Sequence, residues 1–263
     1  MRTPTPCLVV AAVLLSSAGR ASDLDAVKAR GSLRVLAVRL EGPDEFFQFS
    51  GEPGFDREVL EGFAALHRVR LEPVAVAGWS DLVPALLAEK GDVVAGRFTV
   101  TEERRRRIAF TRETFPTRNV VLTYRPAPKV ESLEQLRTLR VGTVRGSSME
   151  EAVRRAGVPP ESVDDSLPPG GLPAALAAGR VKAVVLGVES AIVAQRDDPR
   201  IELGTFVGPP GSLAFGVRKG DSALLAALDA YIDNVRRSPT WNRLVVKYFG
   251  DSAPEVLRRA RTE

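Results

Sequence analysis

The sequence holds a single cysteine, Cys7, and a single histidine, His67, in 263 residues. Cys7 falls inside the segment read below as a leader, so the mature chain is expected to carry no disulfide and no thiol chemistry, and one histidine cannot assemble a histidine metal site. His67, between Leu66 and Arg68, reads as a helix-terminus residue. Aromatic residues make up only 6% of the chain, and although the formal net charge is +4, acidic residues stand beside most arginine clusters. A basic stripe interleaved with stacking rings is therefore missing, which excludes nucleic acid as the expected partner. Beyond the N-terminal segment no apolar run approaches the roughly 20 residues that cross a bilayer. No membrane span is expected, and no metal or organic cofactor.

What is present begins with a targeting signal. Arg2 supplies a positive start, residues 8–15 an apolar run, and Ala18-Gly19-Arg20-Ala21 small residues for cleavage after Ala21. Thr5 and Pro6 precede Cys7 where a lipoprotein cleavage box would have leucine and small residues. The expected product is a soluble, monomeric protein in the periplasm or otherwise outside the cytoplasm.

The mature chain reads as α/β. Residues 24–29 suit a short helix, 33–38 a strand, and Glu41-Gly42-Pro43-Asp44 a turn leading to Phe46 and Phe47. Gly54-Phe55-Asp56 opens a helix with Phe55, Val59, Leu60, Phe63 and Leu66 at helical spacing, residues 69–76 form a strand, and Trp79-Ser80-Asp81 opens a helix that ends near Gly91. Strand, helix, strand, helix, strand implies a largely parallel sheet with crossover helices. The grammar repeats: strands at 119–124, 139–144 and 183–186, with helices at 133–136, 149–156, 172–178 and 189–196. A strand near 213–217, a helix over 222–236 and a last helix from Pro239 complete the chain, followed by a charged tail. Two lobes are expected, lobe 1 from residues 22–121 and 213–263 and lobe 2 from 122–212. The chain would pass between them around 120–122 and 206–213, giving a hinge of two crossover strands beside a cleft.

The stretch from Gly91 to Phe110 is the most informative. Val93-Val94-Ala95 ends in a polar turn, and Thr101 stands as an N-cap before Glu102, Glu103 and Arg104. Such a strand–loop–helix junction collects backbone N–H groups, the Thr99 hydroxyl and the Arg104 guanidinium at one place, suited to a carboxylate. The alternative is an ordinary capped helix whose residues 104–107 form a solvated basic face. Arg145-Gly146-Ser147-Ser148 makes a second hydroxyl-rich turn at a helix start.

Taken in succession, the leader, residues 33–38, Gly54-Phe55-Asp56, Trp79-Ser80-Asp81-Leu82, residues 92–104, Phe110-Thr111, residues 141–148, Trp241-Asn242 and Lys247-Tyr248-Phe249-Gly250 resemble the family 3 extracellular solute-binding proteins, the polar amino acid receptors of ABC importers. The resemblance implies a two-lobed periplasmic-binding-protein fold of type II that captures a small carboxylate-bearing solute for membrane subunits of an importer, without catalysis. It implies Arg104 and Thr99 as contacts to a ligand carboxylate, Gly146 and Ser147 as further donors from lobe 2, Trp79 as an aromatic wall, and Phe47 or Phe46 near a second aromatic position. Two departures stand out. The lobe 2 strand ends in Gly187 where the family places an aspartate for the ligand ammonium; Glu189 either substitutes for it or merely complements a helix dipole. Arg97 occupies a position that is usually small, and with Arg39, Arg104 and Arg145 it leads to the expectation of an unusually cationic cleft and an acidic ligand. Two other classes remain open: a dehydratase-like enzyme in which Arg104 holds a cyclic carboxylic acid and Glu189 moves a proton, and a sensory binding module.

Overall fold

The computed structural model describes residues 23–40, 44–251 and 253–262. The expected leader and residues 41–43 of the expected turn lie outside them. Strands β1 (Ser32–Val38), β2 (Arg70–Val76), β3 (Val93–Val94), β4 (Ala109–Phe110) and β10 (Gly216–Val217) form one sheet, in the order β2-β1-β3-β10-β4. Strands β5 (Phe115–Tyr124), β6 (Val141–Gly142), β7 (Val163–Asp164), β8 (Ala183–Gly187) and β9 (Ile201–Leu213) form the other, in the order β7-β6-β8-β5-β9. In each sheet one half is parallel, as the strand–helix alternation leads one to expect; the other half is antiparallel, because strands that return from the partner unit enter in the opposite sense.

The central strands are apolar because both faces are covered. Leu33, Val35, Leu36 and Ala37 of β1 are fully buried, as are Ala183, Val184 and Val185 of β8. Helix α1 (Asp23–Arg30) precedes β1. Helix α2 (Phe55–Leu66) buries Phe55, Val59, Leu60 and Phe63 of the predicted stripe but exposes Leu66 in its last turn, and His67 caps its C-terminus against the ring of Phe63. Helices α3 (Trp79–Leu87) and α4 (Glu102–Arg107) complete the first run; α5 (Leu133–Arg137), α6 (Ser148–Arg155), α7 (Leu172–Ala177) and α8 (Val188–Asp197) belong to the second. Helices α9 (Ser222–Arg237) and α10 (Pro239–Phe249) follow β10, with Pro239 in the first turn of α10.

Three features differ from expectation. The chain leaves the first sheet after Phe110 and enters the second at Phe115, so residues 120–122 lie within β5, paired with both β8 and β9. The cause is that Phe115 and Thr117 extend the apolar and β-branched run 120–124 backwards, so that β5 pairs with β9 from Phe115 on, with two register shifts. Gly208-Pro209-Pro210-Gly211 reads as a connection but belongs to β9, an edge strand, where prolines without an N–H are tolerated and residues 208–210 are exposed. The return crossing is confined to the two residues between Leu213 and Gly216. Finally, the charged tail is helix α11 (Ala253–Thr262), anchored by buried Ala253 and Leu257 four residues apart, with Ala, Glu, Leu and Arg all strong helix formers.

Candidate functional site

Ligand sites in α/β sheets gather beyond the carboxyl ends of parallel strands. Here four such ends converge: Leu40 and Glu45 after β1, Arg97 and Thr99 after β3, Ser147 and Ser148 after β6, and Gly187 and Glu189 at the end of β8. They enclose a cavity of about 380 Å³. Both sheets contribute walls, and they touch: Ser148 Oγ donates to Thr99 Oγ1 at 2.9 Å, and Arg104 donates across to the Gly146 carbonyl at 3.2 Å.

Arg104 sits in the first turns of the short helix α4, whose N-cap Thr101 accepts the Arg104 N–H at 3.3 Å. Residues 105–107 are exposed, the solvated face of the arginine run, but Arg104 is buried at 9% exposure. Its guanidinium donates to the Thr99 carbonyl at 2.8 Å and lies 4.4 Å from the centre of the Phe98 ring. None of its hydrogen bonds ends on a carboxylate, and burial lowers its pKa to about 10. A desolvated cation served by carbonyls and a ring is chemically suited to accept an anion.

Arg97 has a different environment. It ion-pairs with buried Asp44, reaches Ser190 Oγ at 3.5 Å and faces the Phe46 ring at 5.4 Å. Burial opposes its charge, but Asp44, with Glu45 and Glu189 nearby, outweighs it and raises the pKa. Gly96 and Arg97 both take positive φ, 82° and 51°, and point their N–H groups at Asp56 Oδ2, at 3.0 and 2.9 Å. This small backbone nest on a carboxylate explains the Gly54-Phe55-Asp56 motif: Asp56 shapes the loop from below. Burial pushes the Asp56 carboxyl up to about 7.

The unusually cationic cleft is therefore a misreading. Arg39 and Arg145 are exposed, Arg145 paired with Asp165 at 2.8 Å, and Arg97 is neutralised by Asp44. Charge alternation in sequence hides these pairings, because Asp44 and Asp165 are 53 and 20 residues from their arginines. What remains is the Arg104 cation at one wall and a group of acids, Glu45 and Glu189, at another.

Glu189 fills the space beside Gly187. A Cβ placed on Gly187 would fall 2.0 Å from Glu189 Oε1, so the carboxylate folds back over the glycine into the space that a side chain at 187 would start from. It is 4% exposed and accepts the Thr117 hydroxyl at 2.6 Å. Burial raises its pKa, against that hydrogen bond and the pull of Arg97. A surface acid placed only to complement the α8 dipole would not be buried in a cavity wall.

Of the other residues singled out, Trp79 is 8% exposed and forms both wall and core, and Ser147 lines the cavity while capping α6 by accepting the Glu150 N–H at 3.1 Å. Gly146 does not line it: its N–H donates to Glu150 at 2.6 Å, and its φ of 73° and close approach to Ser80 fit the two units together. Phe47 and Phe46 are also elsewhere. Phe47 packs on Phe49 at 5.5 Å, and Phe46 joins Phe55, Phe115 and Phe249 in a ring cluster, since full burial takes large rings out of the wall. The sequence reading missed Thr117, Asn119, Ser148 and Glu45, all in the wall, and Asp44. Ser148 adjoins a flagged turn; Thr117 and Asn119 sit in a strand that carries no polar motif.

Two α/β units that together wall a partly open cavity holding a buried cation and a buried carboxylate define a cleft-type binding protein. The chain belongs to the bacterial extracellular solute-binding proteins, family 3, whose model matches residues 38–251. It is 25% identical over 209 residues to the lysine/arginine/ornithine-binding periplasmic protein of Escherichia coli (strain K12), covering 74% of this chain and 78% of that one. It is 28% identical over 245 residues to membrane-bound lytic murein transglycosylase F of Stutzerimonas stutzeri (strain A1501), covering 90% of this chain and 50% of that protein. The chain thus spans about half the length of such transglycosylase relatives. Among solved structures, the P235GK mutant of ArgBP from T. maritima superposes with a TM-score of 0.77 at 25% identity, covering 87% of this chain and all of the other. Among the described residues no helix is long and apolar enough to cross a membrane.

Proposed function

We propose that this protein captures a zwitterionic, amino acid-like solute outside the cytoplasm and delivers it, as an exported monomer, to the membrane subunits of an ABC importer. The observation that carries this reading is the pairing of opposite charges in one cavity: Arg104, a buried cation with no carboxylate partner among the described residues, and Glu189, a buried carboxylate held by the Thr117 hydroxyl. Arg104, Thr99 and Ser147 would meet the ligand carboxylate, Glu189 its ammonium, and Trp79 its body. Arg97, paired with Asp44, would buttress the ammonium side instead of anchoring a second anion, so the acidic ligand expected from the arginine count gives way to a zwitterion. The lobes would exchange chain at residues 111–114 and 214–215, revising the boundaries near 121 and 213. Ligand bound to one unit adds contacts to the other and shifts the population toward the closed form, which an importer can recognise. The binding-protein names among relatives are in keeping with this role.

Thermal unfolding against a panel of α-amino acids, dicarboxylates and keto acids tests it, since a ligand that binds only the folded form raises the midpoint. Stabilisation by α-amino acids but not by their keto acids is expected; the reverse preference would refute an ammonium site at Glu189. One observation favours an enzyme as second reading, the buried Glu189 with its raised pKa. Turnover of a bound cyclic carboxylic acid by the purified protein would establish that alternative.

A further inference from the structure

The cavity continues past its two charged groups along helix α8. Glu189, Val193 and Asp197 are four residues apart and share a face of that helix, and with a rise of 1.5 Å per residue the stretch covers about 12 Å. The wall over this length is mostly carbon, with the Ser190 hydroxyl turned to Arg97 at its near end. Leu172, Leu186, Val193 and Ile201 are buried in it, with Pro173 and Ala194 nearer the rim.

Acids do stand at the far end, but Asp197 lies at the exposed rim and both are paired to arginine. Asp197 accepts from Arg196 Nε at 3.0 Å. Asp198 accepts from Tyr124 Oη at 2.8 Å and from two Arg200 nitrogens at 2.9 Å, and these donors hold its carboxyl well below the usual range. Glu45, the remaining acid in the wall, stands close to Arg97 and 3.9 Å from Arg196, on the side where Glu189 also lies. A cationic ligand side chain reaching along α8 would meet apolar carbon and then carboxylates already paired to arginine. An anionic one would meet the same carbon and, among the described residues, no unpaired cation along α8, and burying an unpaired charge there is unfavourable.

We infer that the α7–α8 wall is a side-chain subsite selecting apolar α-amino acids, aliphatic or thioether in chemistry, over cationic and anionic ones. The inference rests on the reading of Arg104 and Glu189 as the carboxylate and ammonium contacts, and it departs from the basic ligands named for the relatives in E. coli and T. maritima. Selectivity comes from two sources. Each methylene buried against Leu172, Leu186, Val193 or Ile201 is worth roughly fourfold in affinity, and charged side chains lose hydration without gaining a partner.

Isothermal titration of the full mature chain with alanine, norvaline, norleucine, methionine, arginine, lysine and glutamate tests this. Affinity should climb from alanine to norvaline to norleucine by roughly fourfold per methylene, with arginine, lysine and glutamate at least about tenfold weaker than norleucine. A preference for arginine or lysine over norleucine would overturn the subsite while leaving the amino acid reading intact. Absence of heat with every α-amino acid, in protein shown to be folded by circular dichroism, would overturn both. Ala194→Asp, at a half-exposed position of α8, places an unpaired carboxylate in the subsite; it should lower norleucine affinity and raise that of lysine. Unchanged ratios in the folded variant would refute the subsite as the determinant.

Discussion

Replacing Arg104 with methionine separates a binding role from a structural one, because the two predict opposite outcomes. Among the described residues the guanidinium has no carboxylate partner, and the fall of its pKa from 12.5 to about 10 corresponds to roughly 3 kcal/mol against the charged state. Methionine, of similar length, removes that cost. It also removes two charge-assisted hydrogen bonds, to the carbonyls of Thr99 and Gly146, at about 1.5 kcal/mol each, and the contact with the Phe98 ring at about 1 kcal/mol. The opposing effects nearly cancel, so the stability of the ligand-free protein should change by no more than about 1 kcal/mol, or roughly 3 °C in its unfolding midpoint. Binding should behave otherwise. A ligand carboxylate would lose two charge-assisted hydrogen bonds of about 1.5–3 kcal/mol each, which weakens binding by roughly 10²- to 10⁴-fold. Paired melting curves with and without ligand and isothermal titration read both quantities. At a hundredfold excess over Kd the wild type gains about 2.7 kcal/mol from ligand, and Arg104→Met should gain almost none. A variant that loses several kcal/mol of stability yet binds with unchanged affinity would mean that Arg104 is a strut between the units, and the reasoning would be refuted.

Gly146→Ala should impair binding although residue 146 does not line the cavity: its φ is 73° and a Cβ would fall 2.7 Å from the Ser80 backbone nitrogen, so closure is obstructed, and small-angle scattering should report an extended form that ligand no longer compacts. Gly187→Ala should displace the Glu189 carboxylate, since the added carbon would lie 2.0 Å from its Oε1, and lower affinity by at least about tenfold; if Gly187→Ala binds as well as the parent, Glu189 is not the ammonium contact. Asp56 governs a pH dependence. Its folded pKa, about 7, lies above the 3.8 of a free carboxyl, so the native state binds the extra proton and the contribution of Asp56 to stability is greatest below pH 4 and declines as pH rises from about 4 through 7. Denaturant titrations over that range should show a flatter profile for Asp56→Asn than for the parent, and an unchanged slope would contradict the assignment.

The fold was legible because its local signals agree with one another. Apolar runs mark the parallel strands, the stripe from Phe55 to Phe63 marks α2, and the cap at Thr101 and the hydroxyl-rich turn at Ser147 mark helix starts where the structure has them. The elements that escaped reading are those whose stability is tertiary. Strand β9 contains Gly-Pro-Pro-Gly and exists because β5 offers it a ladder; helix α11 looks like a charged tail and is held by two buried residues. Residues 120–122 illustrate the converse, a strand whose interior looked like a crossing because its start at Phe115 lacked any boundary signal.

For the site the division follows the range of the interactions. The sequence by itself determined which backbone turns lie at strand ends and that a threonine-capped arginine, Arg104, stands at one of them, because capping and strand termination act over a few residues. Only the tertiary structure decided the charge state of the cavity. Arg97 is matched by Asp44 and Arg145 by Asp165, while Arg104 is left without a carboxylate. The Glu189 carboxylate occupies the space that Gly187 leaves open. Electrostatic pairing and desolvation depend on distance in space, and the residues that settle them are brought together only when the two sheets close on each other.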